Sequence, residues 1–114
     1  MRAAVFHPWS VIDGGITAPQ GFRASAITAG LKASGKPDLS LVLAPEGAVC
    51  AGTFTTSVVR AACVDLCAER LRARSGHARA VLTNSGQANA CTGDRGLIDS
   101  LRATQALEIG RAHV

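Results

Sequence analysis

The chain is poor in aromatic residues: they make up 4% of its 114 residues, and tyrosine is absent. Any core must therefore be built from the aliphatic side chains that dominate its hydrophobic fraction of 47%. That fraction is too high for an intrinsically disordered chain. Small aliphatic side chains each bury little area, at roughly 25 cal/mol per Å². We therefore expect the chain to gain stability from belonging to something larger.

Signals for membranes, secretion and zinc are also missing. No apolar run approaches the length of a membrane span, and no charged segment leading into an apolar one marks a signal peptide. The cysteines lack the paired C-x-x-C spacing that zinc sites favour; they are Cys50, Cys63, Cys67 and Cys91. We expect a cytoplasmic protein that binds no metal and keeps its thiols reduced and mostly buried.

Positive charge is moderate, at a formal net charge of +4. It gathers in a group that we call the arginine cluster: Arg70, Arg72, Arg74, His77 and Arg79. Such a cluster can bind phosphates, but no aromatic residue interrupts it and Glu69 lies beside it. We interpret it as a solvated helix face, and keep a small basic nucleic-acid-binding module as an alternative function.

The apolar patterns predict several strands before two helices, which indicates a mixed α/β class. Strands are predicted at 22–32, 39–44, 48–56 and 79–83, with 58–64 continuing the sheet. Helices are predicted at 65–74 and from Gly93 or Asp94 onward, the second capped by Thr92. We expect the first two strands to form a hairpin, Trp9 to pack on the body, and Gly52 to mark a bulge or a close backbone approach.

Residues 83–96, TNSGQANACTGDRG, lie between a predicted strand and a predicted helix, and we call them the motif segment. A strand–loop–helix arrangement points free backbone N–H groups at an anion in front of the helix. Gly86 and Gly93 allow the backbone to approach a ligand closely. Asn84 and Asn89 supply amide donors and acceptors.

The motif segment matches none of the common catalytic or phosphate-binding patterns. It contains neither a P-loop nor a dinucleotide-binding G-x-G-x-x-G. Ser85 lacks the glycine two positions earlier that a nucleophile elbow requires, and no histidine follows Cys91 closely in the sequence. From the residues alone, a structural loop and a ligand-facing loop both remain open.

The letters TNSGQANACTG resemble the NSGNANACTG-type signature of the ornithine acetyltransferase family, also called glutamate N-acetyltransferases. Three longer stretches are similar to the family in the same order: GGITAPQGFRASAITAGLKASGKPDLSLVLA, CAGTFTT and HARAVLTNSGQANACTGDRGL. The likeness covers residues 9–107. Gln87 is a mild departure, because asparagine is more frequent there in the family.

The resemblance implies a partial layered α/β sandwich and an enzyme of arginine biosynthesis that moves an acetyl group from N-acetylornithine to glutamate. It implies no cofactor, although some members accept acetyl-CoA as the donor. Family precursors cut themselves into two chains, and the freed threonine of the second chain is the nucleophile of a ping-pong reaction. The resemblance therefore also implies a second-chain partner, in an α2β2 assembly.

The resemblance places no catalytic residue on this chain. The threonine nucleophile and the Thr-Gly pair of the oxyanion hole belong to later parts of the family sequence, and Thr92–Gly93 belongs to the earlier motif. We expect the chain to be inactive alone. The candidates for lining the substrate pocket are Asn84, Ser85, Gly86 and Asn89.

The last seven residues, EIGRAHV, depart from the family pattern and look like the in-frame translation of a sequencing adapter. We therefore predict that residues 1–107 form the amino-terminal part of the first acetyltransferase chain and that residues 108–114 are not native. The alternative for this tail is a divergent helix end, with Gly110 as its stop. A further alternative for the whole chain is an accessory subunit that only packs against a partner.

Overall fold

The computed structural model describes residues 8–112, and the burial of side chains from residue 8 to residue 108. Its elements in chain order are β1 (Arg23–Ile27), β2 (Leu39–Leu43), α1 (Ala62–Ala73), β3 (Ala80–Asn84) and α2 (Gly93–Ala112). This order confirms the predicted mixed α/β class. The last two residues of the predicted non-native tail lie outside the described residues.

The three strands form one antiparallel sheet with β2 in the centre. Leu41 of β2 lies between Ser25 of β1 and Leu82 of β3, which fixes the register of all three strands. Because side chains alternate along a strand, the leucines of β2 share one face with Leu82, and Val42 shares the other with Val81. The hairpin predicted for the first two strands is confirmed, although β1 ends earlier than predicted, at Ile27.

Helix α1 begins three residues earlier than the predicted start, at Ala62. Asp65 in its first turn and arginines in its last turn suit the helix dipole. The helix ends at Ala73, one residue before the predicted end, and is followed by Ser75 and Gly76, which both take positive φ values. Gly76 then donates its N–H to the carbonyl of Leu71 at 2.8 Å, which satisfies one of the last helical carbonyls.

The predictions for residues 48–64 are wrong. Residues 48–56 carry an isolated bridge between Val49 and His77 in place of a strand, and residues 58–64 end in the first turn of α1. The described residues place no strand beside this segment, so its β-forming side chains have nothing to pair with. The Phe54 ring instead lies over Gly52, where a Cβ would be 3.0 Å from the ring edge. Gly52 thus marks a close approach, but not a bulge within a strand.

Few of the described side chains are buried. Within residues 8–108, those in the buried class are Leu66, 8% exposed, and Asp38, 3% exposed. The accessible surface is 9276 Å², against about 5,900 Å² for a compact monomer of this mass. The radius of gyration is 17.2 Å, against about 13 Å for a compact domain of this length. The chain thus leaves most of its apolar surface without a covering layer.

Two further predictions fail because so little of the described surface is covered. Trp9 is 85% exposed and does not pack on the body. Three of the four cysteines are exposed and Cys50 is half-buried, so the prediction that the thiols are mostly buried is wrong. Neither described helix combines the length and the apolar character that crossing a membrane requires.

Candidate functional site

The motif segment has the strand–loop–helix arrangement that its sequence predicted. Strand β3 ends at Asn84, residues 85–92 form the loop, and α2 begins at Gly93. In the sheet register, Asn84 lies opposite Leu39, at the edge where β2 begins. The loop therefore leaves the sheet beside the turn that connects β1 to β2.

Ser85 is tied to that turn. Its backbone N–H donates to the carbonyl of Asp38 at 2.9 Å, and its side chain is half-buried. It lines a cavity of about 90 Å³ together with Ala26, Pro37, Asp38, Leu39, Ser40 and Thr83. Pockets for small molecules usually enclose about 300 Å³ or more. Hence the cavity in this chain alone is too small to hold an amino-acid substrate.

Gly86 packs against residues 28–36, which we call the hairpin loop. A Cβ at Gly86 would lie 2.5 Å from Cγ of Lys32 and 3.3 Å from the carbonyl oxygen of Leu31. Gly86 also has a φ of +93°, a region that side-chain-bearing residues rarely occupy. Both the space and the backbone conformation at this position thus favour glycine.

The other end of the motif segment contacts the start of α1. Ala90 forms an isolated antiparallel bridge with Ala61. Thr92 occupies the predicted cap position, but its hydroxyl donates to the carbonyl of Asn89 at 3.0 Å. Among the described residues, its oxygen accepts no backbone N–H of α2, as a capping oxygen would. The N–H of Gly96 instead donates to the backbone carbonyl of Thr92 at 3.2 Å. The end of the loop is therefore closed by its own backbone.

The four predicted pocket residues follow one another along the segment without converging on a cavity. Ser85 lines the small cavity, Gly86 packs on the hairpin loop, Asn84 is exposed at the sheet edge, and Asn89 is half-buried near α1. Their assignment to a substrate pocket stays a prediction. Among the described residues, no cluster of His, Cys, Asp or Glu is suited to hold a metal ion.

Asp38 is a prominent residue of this region that the sequence interpretation missed. Its carboxylate accepts the backbone N–H groups of Ala29, Leu31 and Lys32 at 2.7, 2.6 and 2.8 Å. These hydrogen bonds hold the pKa of Asp38 below its ordinary value of 3.8, and the bond from Ala29 has the largest effect. Burial of the carboxylate acts in the opposite direction. One sequence signal was available: an aspartate next to a Gly- and Ser-containing loop often accepts backbone N–H groups.

The arginine cluster does not act as a single solvated face. Arg70 is half-buried, and its guanidinium donates to Oγ1 of Thr104 on α2 at 2.9 Å. Arg72, Arg74 and Arg79 are exposed. Part of the predicted basic surface is therefore used to join the two helices.

A model of the ArgJ family matches residues 23–111. The chain belongs to the ArgJ family. It is 76% identical over 107 residues to the arginine biosynthesis bifunctional protein ArgJ of Parasynechococcus marenigrum, an alignment that covers 94% of this chain and 26% of that protein. It is 74% identical over 107 residues to the ArgJ of Prochlorococcus marinus strain MIT 9313, covering 94% and 25%. The chain thus spans about a quarter of the length of these curated relatives.

Two solved structures share the fold of this ArgJ chain. The ornithine acetyltransferase of Mycobacterium tuberculosis, complexed with ornithine, is 48% identical with a TM-score of 0.67, covering 75% of this chain and 44% of that one. The ArgJ of Bacillus halodurans is 37% identical with a TM-score of 0.73, covering 85% and 51%. The predicted fold, part of an ornithine acetyltransferase sandwich, is confirmed. The family match runs four residues past the predicted boundary at 107, which stays a prediction.

Proposed function

We propose that this chain is the amino-terminal part of a glutamate N-acetyltransferase, which moves an acetyl group from N-acetylornithine to glutamate. The observation that carries the proposal is its likeness to the ornithine acetyltransferase complexed with ornithine, at 48% identity and a TM-score of 0.67. The family match over residues 23–111 supports the same function. Arginine biosynthesis, named in the relatives, is the pathway that this reaction serves.

The proposed chemistry has two balanced half-reactions. In the first, a threonine oxygen attacks the acetyl carbonyl of N-acetylornithine, the amide C–N bond breaks, and ornithine leaves with the proton that the threonine gave up. In the second, the α-amine of glutamate attacks the acetyl ester, the C–O bond breaks, and the threonine regains its proton. Acetyl-CoA is an alternative donor to the same threonine. Acyl transfer changes no oxidation state, so the proposed reaction needs no redox cofactor.

In this proposal the threonine and the oxyanion-hole Thr-Gly pair come from other parts of the full-length enzyme, and this chain is inactive alone. The chain contributes a wall of the substrate pocket through Asn84, Ser85, Gly86 and Asn89. The apolar surface that this chain leaves exposed supports a fold that continues in the rest of the enzyme. Soluble proteins rarely expose large apolar patches unless another surface packs against them. The partner is the second chain, in an α2β2 assembly.

Complementation of an arginine auxotroph tests the function. We define the hybrid ArgJ protein as the Parasynechococcus marenigrum relative in which the 107 matched residues of this chain replace their counterparts. In a bacterium without ornithine acetyltransferase, we expect the hybrid to restore growth without arginine, as the unaltered relative does. A soluble hybrid that fails where the relative succeeds would overturn the proposal.

The pocket assignment has its own test in the hybrid ArgJ protein. Asn84→Ala and Asn89→Ala should each lower the rate of acetyl transfer. Asn84→Asp keeps the size of the side chain and replaces only its amide, so this variant tests the amide group itself. Unchanged acetyl transfer and unchanged self-cleavage in both alanine variants would remove these asparagines from the pocket.

No specific observation favours the nucleic-acid-binding or accessory-subunit alternatives. The guanidinium of Arg70 is engaged with α2, and the relatives named above are arginine-biosynthesis proteins.

A further inference from the structure

The carboxylate of Asp38 fills a nest of backbone N–H groups in the hairpin loop. Oδ1 accepts from Ala29, and Oδ2 accepts from both Leu31 and Lys32. A carboxylate that accepts several backbone N–H groups is held in its charged form, and it fixes the peptide planes that donate to it. The hairpin loop is thus folded around this one side chain.

The backbone of the same residue joins the two neighbouring strands. The N–H of Asp38 donates to the carbonyl of Ile27 at 3.1 Å, where β1 ends. Its carbonyl accepts the N–H of Ser85 at 2.9 Å, where the motif segment leaves β3. Asp38 therefore holds the hairpin loop with its side chain and the motif segment with its main chain.

The hairpin loop in turn lies directly on the motif segment. Two of the residues that donate to Asp38, Leu31 and Lys32, are also those that a Cβ at Gly86 would meet, at 3.3 and 2.5 Å. A shift of the N–H nest would move the surface on which Gly86 rests. The carboxylate of Asp38 and the backbone of Gly86 are therefore coupled through these two residues.

We propose that Asp38 is a positioning residue: it fixes the hairpin loop against Gly86 and so sets the conformation in which the motif segment enters the active site. Asp38 touches no reacting atom in this role, and acts through Leu31, Lys32 and Ser85. The effect on catalysis rests on the proposed function. The coupling between the hairpin loop and the motif segment does not.

Chemical rescue in the hybrid ArgJ protein tests the catalytic part. Asp38→Ala empties the nest, and we expect kcat/KM for acetyl transfer to fall, by up to about 100-fold if the loop shifts by an ångström. Formate can enter the vacated nest, so it should restore the rate of Asp38→Ala in a saturable way. Asp38→Asn should also lose activity but gain nothing from formate, because the amide still occupies the nest and its NH₂ cannot accept.

The assays are run at a temperature where circular dichroism shows each variant fully folded, so that global unfolding does not contribute. Asp65→Ala is the matched control, because Asp65 is an exposed aspartate that pairs with Arg60 at 2.7 Å. It should keep the parent rate with and without formate. Two results would overturn the catalytic role of Asp38. One is a kcat/KM in Asp38→Ala equal to that of the parent, and the other is a loss of kcat/KM that formate restores no better in Asp38→Ala than in Asp38→Asn.

Hydrogen exchange tests the coupling without reference to catalysis, and Asp38→Asn supplies a variant of the same size if Asp38→Ala does not fold. In the hybrid ArgJ protein, Asp38→Asn should exchange faster than the parent in peptides covering 28–36 and 83–89 together. Faster exchange confined to 28–36 would refute the coupling. An inactive parent hybrid would instead count against the proposed function, while the exchange result would still decide the inference.

Discussion

Gly86 and Lys32 approach each other so closely that no side chain fits between them: a Cβ on Gly86 would lie 2.5 Å from Cγ of Lys32. This contact joins the motif segment to the hairpin loop, which are far apart in sequence. It also explains why a glycine occurs near the start of this loop, since its φ of +93° and its packing both disfavour a Cβ.

Comparing the stability losses of Gly86→Ala and Gly47→Ala separates the effect of crowding from the effect of backbone strain. Gly47 has a similar φ of +79°, but a Cβ there would meet nothing within 4 Å. Gly47→Ala should destabilise the hybrid ArgJ protein by about 1 kcal/mol through strain alone. Gly86→Ala should cost about 1–3 kcal/mol more, because it also overpacks the contact with Lys32. Denaturant melts measure the free energy of unfolding of both variants. Equal losses in the two variants would contradict the close packing at Gly86.

Lys32→Ala removes the Cγ that Gly86→Ala would strike. The double variant Lys32→Ala/Gly86→Ala should therefore be more stable than the sum of the two single losses indicates. Contacting residues typically give coupling energies of about 0.5–3 kcal/mol. Strict additivity in the same denaturant melts would show that the side chain of Lys32 does not contact Gly86.

The Asp38 carboxyl makes the hairpin loop sensitive to acid. Its pKa is lowered in the folded chain, chiefly by the N–H groups of Ala29 and Lys32, and the positive charge of Lys32 acts in the same direction. Its stabilisation is therefore fully present above the ordinary pKa of 3.8 and is lost as the pH falls through the lower folded value. Hydrogen exchange, compared after correction for intrinsic rates, should show the hairpin loop opening below about pH 4. Asp38→Asn should remove this pH-dependent opening. If the opening is unchanged in that variant, another titratable group causes it.

The isolated chain should not behave as a stable globular protein. Leu66 is one of only two buried residues within residues 8–108, while side chains such as Val58 are 94% exposed. We expect the 114-residue chain alone to bind a hydrophobic dye and to melt without a cooperative transition. The hybrid ArgJ protein, in which the rest of the fold is present, should do neither. A sharp melt of the isolated chain would mean that it buries much more surface than this structure does.

The sequence predicted well those elements that local patterns determine. The short apolar run 39–43 between two prolines, the helix formers of α1 and the glycines around the motif segment each favour their own conformation. The structure places β2, α1 and the strand–loop–helix unit accordingly. The segment 48–56 has strand composition too. Strand pairing needs a neighbour, however, and no residue pattern within the segment reveals whether one exists.

Asp38 escaped prediction for a related reason. A single aspartate after Pro37 matches any turn, and its importance comes from three N–H groups that the folded hairpin loop brings together. The same limit applies to the pocket candidates, because Asn84 is the last residue of β3 and Asn89 lies within the loop that follows. Their sequence spacing does not say what faces them across the site.

Transfer of a labelled acetyl group tests the proposed function most directly. The hybrid ArgJ protein is incubated with N-acetylornithine carrying ¹³C in its acetyl group, together with unlabelled glutamate, and the products are read by mass spectrometry. If this chain is the amino-terminal part of a glutamate N-acetyltransferase, the label should appear in N-acetylglutamate as ornithine is released in equal amount. A folded, self-cleaved hybrid that leaves all of the label on ornithine, under conditions where the unaltered relative transfers it, would contradict that function.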